Sequence, residues 1–310
     1  MRIVFMGTPR AAVPSLERLL EDGHEIAAVY TQPDRPSGRG NKIIFSPVKE
    51  FAQRHGLTVV QPVKIRTPDA FDEFKAFNAD VAVVVAYGRI LPDAFLTAFT
   101  RGAINLHFSL LPKYRGAAPV NWAIVNGETE TGVTTMQMDA GLDTGPILRQ
   151  ELTAIGPNET SVALMERLAL MGAEVLSDTF ANLDQIEPQN QDNEKATIAP
   201  IMKRDDGLID WAMTATKISN RIRGFQPFPT AFTFRGGLKL TLWNAAACSS
   251  DLAVGLPGTV IEANGDDLLV SCGGGTLLRI EELQPEGKRR MPTRDFLNGV
   301  RLTEGDRFGT

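Results

Sequence analysis

The sequence predicts an α/β protein: a mostly parallel sheet with helices on both faces, followed by a small β domain. Three observations predict it. The chain opens on a β-α-β pattern, with Arg2–Met6 and Glu25–Thr31 flanking helix-spaced Val13, Leu16, Leu19 and Leu20. Asp80–Gly88 holds an unbroken β-branched run, the mark of a strand buried on both faces. The last third breaks into short strands separated by Gly236-Gly237, Asn264-Gly265 and Gly273-Gly274-Gly275.

The elements follow in order. After Arg2–Met6 the turn Gly7-Thr8-Pro9 has one glycine, not the GxGxxG of a dinucleotide site. Residues 32–47 read as a long polar loop carrying Arg35, Arg39 and Lys42, and loops of that length in compact domains are commonly functional. Val48–His55 reads as helix, Leu57–Val60 as strand and Pro68–Phe77 as helix. The central strand 80–88 runs into Arg89-Ile90-Leu91-Pro92. A short apolar run, Ala103–Leu106, leads into Asn105–Pro112. In open α/β sheets ligands bind beyond the carboxyl ends of strands, so both segments are expected on that edge. Pro119–Asn126 reads as helix, Gly132–Met138 as strand, and Thr160-Ser161 as the cap of a long helix. The polar stretch after Ile186 reads as a linker. A helix near 214–222 precedes strands at 231–235, 238–246, 258–263, 268–272 and 276–284, and 295–300 closes as helix. Together these give a Rossmann-like domain over 1–185, a linker over 186–206 and a small OB-like β-barrel domain over 207–310.

Composition narrows the class. The chain has 310 residues, 43% hydrophobic and 22% charged, as ordinary globular proteins do. No apolar run approaches the ~20 residues of a membrane helix, and the first residues do not form a signal peptide. Cys248 and Cys272 lie far apart without a CxxC, so reduced thiols and a cytoplasmic protein are expected; a monomer is expected as well. Only His24, His55 and His107 are present, with no HExxH or Cys/His cluster, so no metal is expected. The net charge is −5, but the acidic excess lies in the first two-thirds. The last third holds Arg221, Arg223 and Lys288-Arg289-Arg290, local patches able to meet a polyanion. A solvated charged surface explains them equally.

The chemistry concentrates at Asn105, His107 and Ser109, which alternate along an extended segment and so share a face. A carboxamide donor beside an imidazole suits chemistry at a carbonyl: one stabilises an oxyanion, the other moves protons near neutral pH. Gly141 and Gly145 bracket Asp143 on a tight loop. A carboxylate there either orients the imidazole or merely closes its own turn.

Asn105-x-His107-x-Ser109-Leu110-Leu111-Pro112, Tyr114–Pro119 and Gly141–Gly145 resemble the signature of the 10-formyltetrahydrofolate-dependent formyltransferase family. Phe5–Pro9, Thr31–Pro36, Val84–Gly88, Glu130–Thr134, Ile209-Asp210-Trp211 and Pro257–Val260 extend the resemblance over both domains. One position departs from it: Phe108 stands where the family usually has glycine or alanine. The resemblance implies a one-carbon group transferase that takes formyl from 10-formyltetrahydrofolate without a metal. Asn105 would hold the formyl oxygen, His107 would shuttle the proton, and Asp143 would set the state of the imidazole. The folate would lie against Arg89, Ile90, Leu91, Pro92, Ser109, Leu110, Leu111, Pro112, Asp139 and Gly141. The basic loop and second domain narrow the acceptor to the α-amino group of methionyl initiator transfer RNA, approached by Arg39 and Lys42. Arg221, Arg223, Lys288, Arg289 and Arg290 are added as RNA contacts from charge clustering. A sugar-nucleotide amine, glycinamide ribonucleotide, or water in a deformylase would use the same catalytic set. A nicotinamide dehydrogenase lacks its glycine fingerprint here, and a non-catalytic RNA-binding protein leaves the Asn/His/Asp set unexplained.

Overall fold

The computed structural model describes residues 1–37, 42–248 and 255–309. In chain order its first strands are β1 (Arg2–Gly7), β2 (Glu25–Tyr30), β3 (Arg35–Ser37), β4 (Lys42–Ile44), β5 (Val59–Val60) and β6 (Val81–Val85). Then come β7 (Ala103–His107), β8 (Arg115–Gly116), β9 (Glu130–Gln137), β10 (Ile147–Ala154) and β11 (Ile198–Ala199). Seven of them form one sheet in the order β10-β9-β7-β6-β1-β2-β5. Pairings among β7, β6, β1, β2 and β5 are parallel, and β9 and β10 add an antiparallel edge. The Rossmann-like, mostly parallel sheet expected from sequence is the fold of the first part. The loop expected over 32–47 contains a surprise, since β3 and β4 pair antiparallel within it. Three-residue strands are too short to leave a period-two pattern. Strand β10 was likewise not expected: its mixed run Ile147–Ala154 is mostly exposed at the sheet edge.

The first helices are α1 (Val13–Glu21), α2 (Pro47–Arg54), α3 (Pro68–Ala76), α4 (Asp93–Leu96), α5 (Pro119–Val125) and α6 (Ser161–Ala181). Local chemistry sets where they start. Ser46 and Thr67 accept from the backbone of Lys49 and Ala70, each followed by a proline at the first helical position. Thr160 does the same for Ala163 at the head of α6, as expected. One face of the sheet packs Val4, Met6, Ala28, Tyr30, Ala82 and Val84 against Phe74 of α3 and Phe95 of α4. On the opposite face α6 comes close enough that a Cβ on Gly172 would meet Leu106 at 2.7 Å.

The C-terminal unit starts its regular structure at α7 (Ala215–Gly224). Strands β12 (Ala231–Arg235), β13 (Leu238–Cys248), β14 (Val260–Asn264), β15 (Asp267–Cys272), β16 (Thr276–Pro285) and β17 (Met291–Pro292) follow, then α8 (Thr293–Gly299). They form an antiparallel sheet in the order β12-β13-β16-β15-β14, with β17 beside β16. Its core joins Trp211, Ile218 and Ile222 to Leu242, Val270, Leu278, Ile280 and Phe296. Burial pushes the Cys272 thiol up to about 12, which makes it an unreactive core residue. No helix among the described residues is long and apolar enough to cross a membrane.

Contacts divide the chain differently from the expected 1–185, 186–206 and 207–310. One unit comprises 1–119, 130–154 and 165–200, the other 120–129, 155–164 and 201–310. The second unit gains its inserted pieces through specific bonds. Asn121 donates to the Gly224 carbonyl at 2.8 Å, and Ser161 donates to Gln226 at 2.6 Å. The expected linker is anchored too, because β11 pairs in parallel with β8.

Two glycines test the packing. A Cβ on Gly132 would meet the backbone oxygen of Glu151 and, at 2.5 Å, Leu110. Gly132→Ala should therefore lower stability by about 1–3 kcal/mol in urea unfolding. Gly172→Ala should cost less, because its neighbour is a side-chain tip and alanine regains about 1 kcal/mol of helix propensity.

Candidate active site

Strand β7 aims the central residues. Ala103 belongs to the core cluster on the α3 face, so Asn105 and His107, two and four residues on, project from that same face. The register pairs Val84 of β6 with Asn105, so Arg89–Pro92 and Ser109–Pro112 follow strands that end on one edge. Asn105 is 7% exposed and His107 6%. Among the described residues no side chain or backbone group bonds the Asn105 carboxamide.

His107 is held on two sides. Its Nε2 lies 2.9 Å from the Tyr114 carbonyl oxygen. That oxygen can only accept, so Nε2 carries the proton and Nδ1 is the nitrogen left to act. Nδ1 faces Asp143, 3.7 Å from Oδ2. The same Oδ2 accepts from the Gly116 backbone at 2.8 Å. Asp143 thus bonds across 27 residues rather than closing its own turn. Asp139 takes the local role, accepting from Gly141 at 3.0 Å and Thr144 at 2.7 Å. Asp143 sits at φ 52°, in the left-handed region that side chains other than glycine's rarely adopt.

The 109–112 turn is braced from behind. Thr134, fully buried, donates to the Ser109 carbonyl at 2.6 Å and accepts from Leu111 at 3.2 Å. Gln150 donates to the Leu111 carbonyl and to Thr134, both at 2.8 Å. Ser109 itself is buried and donates to the Lys113 carbonyl at 2.6 Å, so its hydroxyl serves the turn. Leu110 is half-buried, and Leu111 and Phe108 are buried.

Ile65, Phe71, Leu91, Phe95 and Ala140, with the polar Arg66, Thr67 and Asp93, line a cavity of about 560 Å³, and no residue of 105–112 is in its lining. Ile90 stands 70% exposed at its mouth, with Pro92 below. Arg89 is spent on positioning: it donates to Gln32 and to the Val63 carbonyl, both at 3.0 Å. Lys64 and Arg66 line an adjoining hollow of about 430 Å³.

The basic residues expected to meet RNA divide sharply. Arg39 lies outside the described residues, and Lys42 is described only as a position in β4. Arg221 donates to the Asp206 carbonyl at 2.5 Å and stacks on Phe225. Arg223 is bonded to Asn220 and to the carbonyls of Gly156 and Glu159. Both are half-buried, and burial lowers both guanidinium pKa values from their ordinary range. Their charge supports the fold of the second unit. Lys288, Arg289 and Arg290 are exposed after β16, with Arg290 paired to Glu282 and lying over Trp243. Sequence reasoning missed Arg115, Thr134, Gln150 and Gln191, whose side-chain contacts span 16 to 78 residues and leave no local signal.

Comparison with known proteins agrees with this architecture. Residues 1–180 match the formyl transferase family and residues 201–301 its C-terminal domain, so this chain belongs to the formyl transferase family. Relatives 45–49% identical to this chain carry the name methionyl-tRNA formyltransferase. The one from Geobacter sulfurreducens is 47% identical over all of this chain and 97% of its own length. The one from Caldanaerobacter subterraneus is 49% identical over 98% of this chain and 99% of its own. Among solved structures, an N-formyltransferase from Helicobacter canadensis, in complex with folinic acid and dTDP-3-aminofucose, shares the fold. Its TM-score is 0.68 at 20% identity, over 91% of this chain and 98% of that one.

The brace behind the turn can be tested alone. Thr134→Val keeps the side-chain volume but strands the Ser109 and Leu111 backbone groups. Unfolding free energy should fall by about 1–3 kcal/mol, measured in urea.

Proposed function

We propose that this enzyme transfers the formyl group of 10-formyltetrahydrofolate to the α-amino group of methionyl initiator transfer RNA. The observation that carries this reading is the Asn105 carboxamide. It is buried on a strand face, bonded to no described residue, and shares that face with the His107–Asp143 pair. Its polar atoms are not sealed from open space, so the donor is free to meet a group that a substrate brings in. The formyl oxygen, which becomes an oxyanion on attack, is such a group.

The steps follow from simple carbonyl chemistry. The neutral amine attacks the formyl carbon, a C–N bond forms, and the carbonyl electron pair moves onto oxygen. Asn105 donates to that oxygen. The new ammonium loses a proton to Nδ1 of His107, directly or through water, and Asp143 holds the imidazolium that results. The pair on oxygen then re-forms the carbonyl, the bond from carbon to N10 breaks, and N10 takes the proton held by His107, leaving tetrahydrofolate and the formylated amine. No covalent enzyme intermediate is required, since the amine is already nucleophilic and proximity supplies much of the acceleration.

The folate suits the cavity that Ile65, Leu91 and Ala140 help to line. Its volume falls in the range of small-molecule sites, its lining is mostly apolar with Arg66, Thr67 and Asp93 among it, and Ile90–Pro92 belong to that lining. Asp139 and Gly141 would contribute backbone, since the Asp139 carboxylate is engaged in its own loop. The relatives named methionyl-tRNA formyltransferase support transfer RNA as acceptor over a sugar nucleotide. In this reading the second unit and Arg39 contact the RNA, with Lys288 and Arg289 supplying exposed charge.

The test offers charged initiator transfer RNA and a 4-amino sugar nucleotide as separate acceptors. Transfer to the RNA alone is expected; transfer to the sugar, or formate release with neither used, would overturn the acceptor. Asn105→Ala should lower turnover on the order of 10²-fold, and a near-normal rate would remove Asn105 from the mechanism. Lys288→Ala with Arg289→Ala should weaken RNA binding and flatten its salt dependence. Arg221→Ala and Arg223→Ala should instead lower stability and leave the salt slope unchanged.

A further inference from the structure

We propose that Gln191 is a positioning residue for the reaction, acting through Asp143. It comes from the polar stretch beyond α6, far in sequence from either catalytic segment. Its amide nitrogen donates to two carbonyls of the Asp143 loop, those of Asp143 and Gly145, both at 2.8 Å. Its carbonyl oxygen accepts from Arg115 twice, at 3.0 Å from Nε and 2.8 Å from Nη2. Both ends of one carboxamide are therefore fully used.

The bonds close a ring on Asp143. Gln191 holds its backbone carbonyl, and the Gly116 amide holds its carboxylate at 2.8 Å. Gly116 is covalently next to Arg115, whose guanidinium returns to Gln191. Asp143 needs such fixing, because a left-handed backbone costs a residue with a Cβ roughly 1–2 kcal/mol. Without the two donated bonds the loop can relax toward ordinary backbone angles. The carboxylate would then leave Nδ1 of His107. Asn193 also accepts from Arg115, at 2.9 Å, but no bond links its side chain to the Asp143 loop.

The proposal rests on Asp143 and His107 being the acting pair, and its test separates the two ideas. Gln191→Glu retains an oxygen for Arg115 but sets a second oxygen against two carbonyls. Gln191→Met keeps the length and removes both functions. For each variant of the full chain, kcat, both KM values, urea stability and imidazole ¹⁵N resonances would be measured. Only three histidines contribute signals, and His107→Asn identifies the one that matters. The expected result for Gln191→Glu is a kcat lowered roughly 10–100-fold with KM changed less than about threefold. Its His107 signals should shift or broaden, and its unfolding midpoint should fall modestly while the variant stays folded, since two carbonyls lose their donor. Unchanged kcat, a change in KM alone, or slowed turnover with unaltered His107 signals would overturn the proposal. Failure of both variants to fold would also overturn it, since Gln191 would then serve the fold. Asp143→Ala with near-normal turnover would instead sink the reading of the pair, whatever Gln191 does.

Discussion

Strand β7 has a parallel neighbour on one edge and an antiparallel one on the other, and the site depends on that switch. Because β9 runs against β7, the chain leaves β9 opposite Ile104, three residues short of His107. That is about 10 Å along the strand. Strand β10 takes the outer edge, so the connecting loop must travel back along the sheet to reach His107. Its two ends are pinned low: Met138 donates to the Ala103 carbonyl, and Gln137 donates to the Pro146 carbonyl. A Cβ on Gly145 would strike the Gln137 oxygen, so the return is closed tightly. Only the middle of the loop is free to be aimed, and Asp143 is its middle.

The segment 191–199 supplies what the sheet cannot. Strands of two residues, such as β8 and β11, are not stable alone. Here every bond between them also fixes something at the site. Thr197 accepts through its hydroxyl from Tyr114 and through its carbonyl from Arg115, each at 2.8 Å. Tyr114, at φ 61°, presents its own carbonyl to His107. A Cβ on Gly116 would meet the Ala199 oxygen at 2.7 Å, so glycine permits the approach that brings its amide to Asp143. The nearly buried Arg115 is solvated by the neutral carboxamides of Gln191 and Asn193, which hold it without drawing a second carboxylate toward His107.

What the sequence revealed, and what it hid, divides along contact range. Val81–Val85 was legible because burial on both faces selects β-branched residues at every position. The cap at Thr160 was open to reading because it acts within three residues. Asn105 and His107 could be assigned to one face from alternation alone. Asp143 could not be separated from a self-bonding turn residue, because its partner Gly116 is 27 residues away. The neighbouring Asp139 has the same local context and does make that turn. Charge clustering does not reveal what Arg221 and Arg223 touch: Arg221 donates to the Asp206 carbonyl and Arg223 to Asn220 and to the Gly156 and Glu159 carbonyls, partners that the spacing of the two arginines does not encode. Nothing in the polar run 186–197 distinguishes Gln191 from the other carboxamides there, since its role exists only once four distant segments have met.

In the proposed mechanism a neutral carboxamide suits the formyl oxygen. A cation at Asn105 would bind the ground-state carbonyl and a phosphate of the acceptor alike, so much of its attraction would be spent before the reaction. A carboxamide interacts modestly with a formyl oxygen and more strongly with an oxyanion, and only that difference accelerates the step. The protonation pattern follows the same logic. With Nε2 committed to Tyr114, His107 has a single nitrogen free, and it points at a carboxylate that is itself held by a backbone amide. In the proposed mechanism a proton taken from the amine arrives where negative charge is already fixed, and no group must move to receive it. Orientation of Asp143, rather than its mere presence, is then what the surrounding hydrogen bonds have to secure.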